Sequence, residues 1–203
     1  DILGTDNSIC VTDPIYPVYI DSNVMGGRAG EVENGSWSKV TYCPCTASND
    51  FTPQLPDHAT DIIYLCYPNN PTGRLLSADR VKDLADRCER AETFLLVDEA
   101  FIELSGPEES VAALAPEREY LFVMRSLTKS FGVPGLRLGF GVCNARFSRI
   151  LNLARVPWSI GSIAAAAGEH LLGCRDHLES SRQVIKKEIA YLENALQDLG
   201  LEP

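Results

Sequence analysis

The run Asp61–Cys66 (DIIYLC) is apolar at every position after the first. Six residues are too few for a buried helix, and the lack of polar alternation argues against a strand with one face in water. What remains is a strand covered on both faces, as in parallel sheets flanked by helices. Thr93–Val97 (TFLLV) and Tyr120–Met124 (YLFVM) repeat the pattern. Between the first two runs Ser77 is placed to cap a helix, with Asp79 in its first turn and Val81, Leu84, Ala85 and Cys88 on one face. Ser8–Thr12, Lys39–Cys43 and Leu136–Val142 add further strands, and a helix is expected between the Asp13-Pro14 turn and Gly26-Gly27. Strands alternating with helices predict an α/β fold with three layers, α/β/α, around a mostly parallel sheet.

From about Ile163 the chain reads as helical. Ile185, Ile189, Leu192, Leu196 and Leu199 recur at 4-3-4-3 spacing, with charged and amide residues between them. Two heptads are short for a zipper, so the expectation is an amphipathic helix packed on its own domain. Gly200 is a plausible C-terminal cap, after which the sequence ends Leu-Glu-Pro.

At 203 residues, 45% hydrophobic and 23% charged, the chain can bury one sizeable core. No apolar run is long enough to span a bilayer, and DILGTDNS is not the opening of a signal peptide. A net charge of −10 argues against a nucleic-acid surface. Of seven scattered cysteines five sit among apolar strand or helix residues, which reads as buried thiols in a reducing compartment, the cytoplasm. Cys43 and Cys45 lack a second pair at metal-ligand spacing, so no metal is expected. Asn34-Gly35-Ser36 is expected to be a turn.

Ligands of parallel sheets gather at the carboxyl ends of strands. Four such ends carry polar groups here: Asp13-Pro14-Ile15-Tyr16-Pro17, Tyr67-Pro68-Asn69-Asn70-Pro71-Thr72-Gly73, Asp98-Glu99-Ala100, and Arg125-Ser126-Leu127-Thr128-Lys129, with Arg137 opening the next strand. Singly, Asp98 reads as a helix cap, Asn70 as a turn residue and Lys129 as a solvated charge. Four coincidences at successive strand ends make a site the better reading.

PNNPTG, a strand ending in DEA, and then S-x-x-K-x-x-x-x-x-G-x-R together resemble the fold type I pyridoxal-phosphate enzymes, specifically the class I and II aminotransferases. The first seventy residues are most similar to LL-diaminopimelate aminotransferases. Arg74 to about Ala167 is more similar to histidinol-phosphate aminotransferases and threonine-phosphate decarboxylases. The resemblance implies pyridoxal 5'-phosphate held by Lys129 as a Schiff base, chemistry that needs an unprotonated amine, with the same amine moving the substrate's α-proton. It places Asp98 against the pyridine nitrogen, Arg137 and Ser126 on the phosphate, Asn70 on the phenolic oxygen and Tyr16 on the ring face, and it implies a cis Asn70–Pro71 bond. The implied reaction is amino-group transfer between an amino acid and a 2-oxo acid, in a homodimer.

Two departures from the family accompany the resemblance. Its tyrosine three residues after the aspartate is Phe101 here, which removes one hydrogen bond and tilts toward the decarboxylases of O-phospho amino acids. Members of the family are also longer. Residues 1–175 are expected to be a partial cofactor-binding domain and 176–203 the helix leading to a small domain. A catalytically silent truncated module is the alternative from outside enzymology. Arg125 fits either the phosphate site or a backbone carbonyl. Trp158 is expected to anchor packing, and His58, His170 and His177, far from these motifs in sequence, to be surface or helix residues.

Overall fold

A computed structural model describes residues 2–4 and 6–201. The elements run β1 (Ile9–Asp13), α1 (Val18–Met25), β2 (Val32–Glu33), β3 (Ser36–Trp37), β4 (Val40–Pro44), β5 (Ile62–Cys66), α2 (Ala78–Ala91), β6 (Phe94–Asp98), α3 (Ile102–Ser105), β7 (Leu121–Ser126), α4 (Leu127–Ser130), β8 (Gly139–Val142), α5 (Ala145–Ala154), α6 (Ser162–Leu171) and α7 (Arg175–Asp198). Six strands form one sheet in the order β4-β1-β5-β6-β7-β8, parallel except that β8 runs antiparallel to β7. The mostly parallel α/β/α expectation holds.

One face of the sheet is sealed. Ile63, Leu65, Leu95, Val97, Leu121 and Val123 pack beneath α2, which buries Val81, Leu84, Ala85 and Cys88. The Ser77 hydroxyl accepts the Arg80 N–H at 3.4 Å, the cap expected from sequence. Each fully buried aliphatic contributes about 1.5–3 kcal/mol. The other face is thinner. Tyr19 of α1 and Phe147 of α5 cover it in part, leaving Tyr64, Leu96, Phe122 and Met124 half-buried. A cavity of about 420 Å³ opens among Ile62, Tyr64, Leu96, Phe122, Phe147 and Leu151.

The predicted strands recur at or within a residue or two of their expected bounds, with one correction. Leu136–Val142 is not a single strand: Pro134–Leu136 forms a 3₁₀ turn, Arg137 is left-handed at φ 50°, and pairing begins at Gly139. The proline at the first position of that turn sets the turn conformation. The Asn34-Gly35 turn joins β2 to β3 with φ values of 51° and 84°, the positive pair a two-residue hairpin requires.

Two packing expectations fail. Trp158 anchors nothing within the chain, being 98% exposed. The stripe on α7 is not packed on its own domain along its length: the helix meets α3 near its first half, while Ile189, Leu192 and Leu199 stay exposed. Periodicity specifies which residues share a face and says nothing of what covers it. At the far end Gly200, φ 76°, donates to the Gln197 carbonyl and Leu201 donates to Leu196, a Schellman closure. The final Glu202-Pro203 lies outside the described residues.

Candidate active site

The polar strand ends converge at the carboxyl edge of the sheet. Asp98 closes β6, Ser126 closes β7, and the single turn of α4 presents Lys129. Asp98 Oδ1 accepts the Ala100 N–H at 2.9 Å, and Oδ2 accepts the hydroxyl of Tyr19. That phenol is held far above its usual pKa, first by burial and then by the Asp98 charge. Beyond it Tyr16 meets the Tyr19 ring edge-on at 6.2 Å and keeps 43% of its surface exposed. Facing α4, Phe101 lies 5.6 Å from Lys129 Nζ, within cation–π range. Tyr16, Tyr19 and Asp98 thus form one contact chain, and Phe101 with Lys129 a second, at neighbouring strand ends. The Cys66 thiol on the neighbouring strand is pushed up to about 12 by burial and then by Asp98.

Asn70 is presented by a turn whose organiser is Asn69. The buried Asn69 accepts the Thr72 N–H at 3.1 Å and its hydroxyl at 2.8 Å, while its amide reaches the Pro14 carbonyl at 3.4 Å. The Asn70–Pro71 bond is cis. Among the described residues the Asn70 side chain makes no hydrogen bond, so its amide is available. Ser126 Oγ lies 2.8 Å from Thr128 Oγ1, a second hydroxyl beside the lysine. Arg137 touches none of the other site residues directly. Its guanidinium donates only to the Pro134 carbonyl at 3.3 Å, yet β8 pairs Gly139 with Ser126 and so brings Arg137 to the same strand end.

Arg125, open between two roles in the sequence, is committed to a third. Its guanidinium donates to Glu99 at 2.7 Å, to Ser110 at 2.6 Å and to Glu103, and is nearly buried. Glu99 is 2% exposed and also accepts the Val111 N–H at 2.8 Å. Asp98 and Glu99 project to opposite faces because adjacent residues alternate at a strand end, so this ion pair ties β6 to β7 directly behind the site. Glu99, Tyr19 and Thr128 were missed from sequence. Glu99 and Thr128 carried the only available signal, adjacency to Asp98 and Lys129. His177 lies exposed on α7, as expected, and its ring stacks on Phe131 at 5.6 Å, two residues from Lys129.

The donor set fits pyridoxal phosphate. Lys129 and Arg137 have no carboxylate partner among the described residues, in a chain of net charge −10. With the Ser126 and Thr128 hydroxyls they belong to the strand end next to that of the half-buried Asp98, a set of groups that suits a phosphate, an aldehyde and a basic ring nitrogen. An ionised carboxylate offers about four lone-pair sites, so the two bonds already on Asp98 leave capacity for a ring N–H. No group of three or more metal-ligating side chains occurs among the described residues.

The sequence profile of the family "Aminotransferase class I and II" matches residues 31–203. The LL-diaminopimelate aminotransferase of Bacteroides thetaiotaomicron is 48% identical over 147 residues, 70% of this chain and 36% of that protein. The chain therefore spans about a third of the length of this curated relative. The L,L-diaminopimelate aminotransferase of Chlamydomonas reinhardtii superimposes with a TM-score of 0.83 at 25% identity, over 98% of this chain and 53% of that one. The L-threonine-O-3-phosphate decarboxylase of Porphyromonas gingivalis gives 0.79 at 21% identity, over 97% and 57%, a likeness of fold. The chain belongs to the class I and II aminotransferase family, whose cofactor is pyridoxal phosphate.

Proposed function

We propose that the complete protein transfers an amino group between an amino acid and a 2-oxo acid, and that Lys129 is its covalent cofactor anchor and proton carrier. One observation carries the reading: at the carboxyl edge of an acidic protein's sheet, Lys129 and Arg137 have no carboxylate partner among the described residues while Asp98 sits half-buried at the next strand end. Bound pyridoxal phosphate supplies an electron-poor ring that takes up the electron pair of the substrate's α-carbon. The Asp98 carboxylate would accept a hydrogen bond from the ring nitrogen and so favour its protonated form. Arg137 and Ser126 take the phosphate, the guanidinium by charge-assisted bonds. Asn70 donates to the phenolic oxygen, Tyr16 covers one ring face, and Phe101 packs where it can give no hydrogen bond. The Lys129 amine would be the group that moves the substrate's α-proton.

The names of the curated relatives support LL-diaminopimelate as the amino donor. The exposed apolar residues of α7 support a homodimer as the working assembly, and residues 1–175 and 176–203 serve as cofactor-binding domain and connecting helix. Seven free thiols support the cytoplasm as its compartment.

Borohydride reduction of the holoenzyme and peptide mapping should mark the Lys129 peptide; a mark on Lys39, Lys82 or Lys186 would overturn the assignment. Adding LL-diaminopimelate without an oxo acid should convert the coenzyme to its amine form, whereas carbon dioxide release from an O-phospho amino acid would move the protein to the decarboxylases. Asp98→Asn in the complete enzyme should bind coenzyme and lose roughly tens- to thousands-fold in turnover, the loss of about 2–5 kcal/mol of charge-assisted pairing. If Asp98 only held the Ala100 N–H, asparagine would serve as well and turnover would stay near normal.

A further inference from the structure

Four of the seven cysteines crowd one sheet region that the reading above does not use. Cys10 of β1 and Cys43 of β4 are 1% and 3% exposed, and their sulfurs lie 3.0 Å apart. The β1–β4 register sets Cys10 opposite Thr41 and Cys43 opposite Thr12, so both thiols share one face as diagonal neighbours. Cys45 and Cys88 are the next thiols, close enough for their charges to act on Cys10. The two strands continue into the candidate site: the Cys45 N–H donates to the Asp13 carbonyl at 2.7 Å, and Asp13 opens the loop to Tyr16.

We propose that Cys10 and Cys43 are a dithiol modification site, oxidised by hydrogen peroxide to a disulfide that joins β1 to β4. The two thiols differ in the way such chemistry needs. The two sulfurs share one hydrogen bond in which either can be the donor; it lowers the pKa of the Cys43 thiol, while the same bond and burial raise that of Cys10. Cys43, on the edge strand β4 where an oxidant arrives first, is the nucleophile and Cys10, on the inner strand β1, the resolving thiol; the lowered Cys43 pKa agrees with this order. β4 is the sheet's edge strand, paired on one side by β1 alone, so it can open locally without global unfolding and admit a small oxidant.

In the first step the Cys43 thiolate forms an S–O bond to one peroxide oxygen as the O–O bond breaks, and the leaving hydroxide takes up a proton to become water. Cys43 is then a sulfenic acid. In the second the Cys10 sulfur bonds to the Cys43 sulfur, the S–O bond breaks, and the departing hydroxide leaves as water with the Cys10 proton. Two thiols have given two electrons to one peroxide. The sulfurs need only close from 3.0 Å to the bond length of about 2.05 Å. A dithiol reductant reverses the change, as redox sensing in a reducing compartment requires.

The test exposes the folded chain to hydrogen peroxide, alkylates it under denaturing conditions and digests it without reductant. A peptide linking Cys10 to Cys43 is expected, with two fewer alkylated thiols than the seven present and full recovery after dithiothreitol. Cys10 and Cys43 both alkylated while Cys143 or Cys174 is oxidised would overturn the proposal, as would Cys43 linked to Cys45 or Cys88. In Cys10→Ser, dimedone should trap the sulfenic acid on Cys43; an unlabelled Cys43 there would overturn the order of attack.

Discussion

Between Ile9 and Ser130 apolar side chains are stacked between layers, whereas from Phe131 to Leu201 Gly168 is the one buried position among the described residues. Both stretches are well-formed secondary structure. The C-terminal helices even have the better local chemistry: Asn144 caps α5 by accepting the Phe147 N–H at 2.8 Å, and α7 runs 24 residues to a Schellman closure. The strands have no such local support and exist through their neighbours. Caps and periodicity thus suffice to shape a helix, but most helical stability comes from tertiary packing. The sheet region, with Leu95 at 0% exposure and the Glu99–Arg125 pair behind Asp98, holds the molecule together and carries the site.

That contrast can be broken by substitution. The largest expected effect is at Glu99. Replacing it with glutamine leaves Arg125 short of a charge partner inside the fold and should cost about 3–5 kcal/mol in a urea unfolding midpoint. A loss under 1 kcal/mol would mean that Glu103 and Ser110 alone hold Arg125 and that β6 and β7 are not tied by this pair. Next is Leu95→Ala, which deletes a side chain from the sealed face and should cost about 3 kcal/mol by the same measurement. The smallest effect belongs to α7. Ile189→Ser together with Leu192→Ser should change the unfolding midpoint by no more than ~0.5 kcal/mol, because both side chains already face water. The same pair should lower self-association in sedimentation, since a contiguous exposed apolar stripe is where copies would meet. Destabilisation by more than 2 kcal/mol would show that α7 is packed as tightly as the sheet.

The candidate site was partly legible. Lys129, Asp98, Asn70 and Arg137 could be singled out as candidates because their residue types sit at successive strand ends, a one-dimensional pattern. Phe101 was found as a departure from that pattern, and the cation–π contact with Lys129 gives it a place. Tyr19 was invisible because its phenol reaches Asp98 across 79 residues of sequence. Arg125 stayed undecided for the same reason: its partners Glu99, Glu103 and Ser110 precede it by up to 26 residues and meet it only when β6 and β7 lie side by side. Arg137 was misplaced within its strand, since hydrophobic alternation through Leu136–Leu138 outweighed the turn signal of Pro134-Gly135.

By itself the sequence determined the α/β class, the strand runs, the α2 face, the Asn-Gly hairpin turn and the order of the polar strand ends. These rest on interactions among residues a few positions apart, or on the simple need of an apolar run to be covered. Only the tertiary structure decided that β8 turns antiparallel, that one sheet face is sealed and the other half-open, that Trp158 and the α7 stripe lie bare, and that Cys10 faces Cys43 at 3.0 Å. Each of these depends on which distant surfaces meet. Local propensity sets the shape of an element, but burial and side-chain partners are properties of pairs of elements, and no short window of sequence contains both members of a pair.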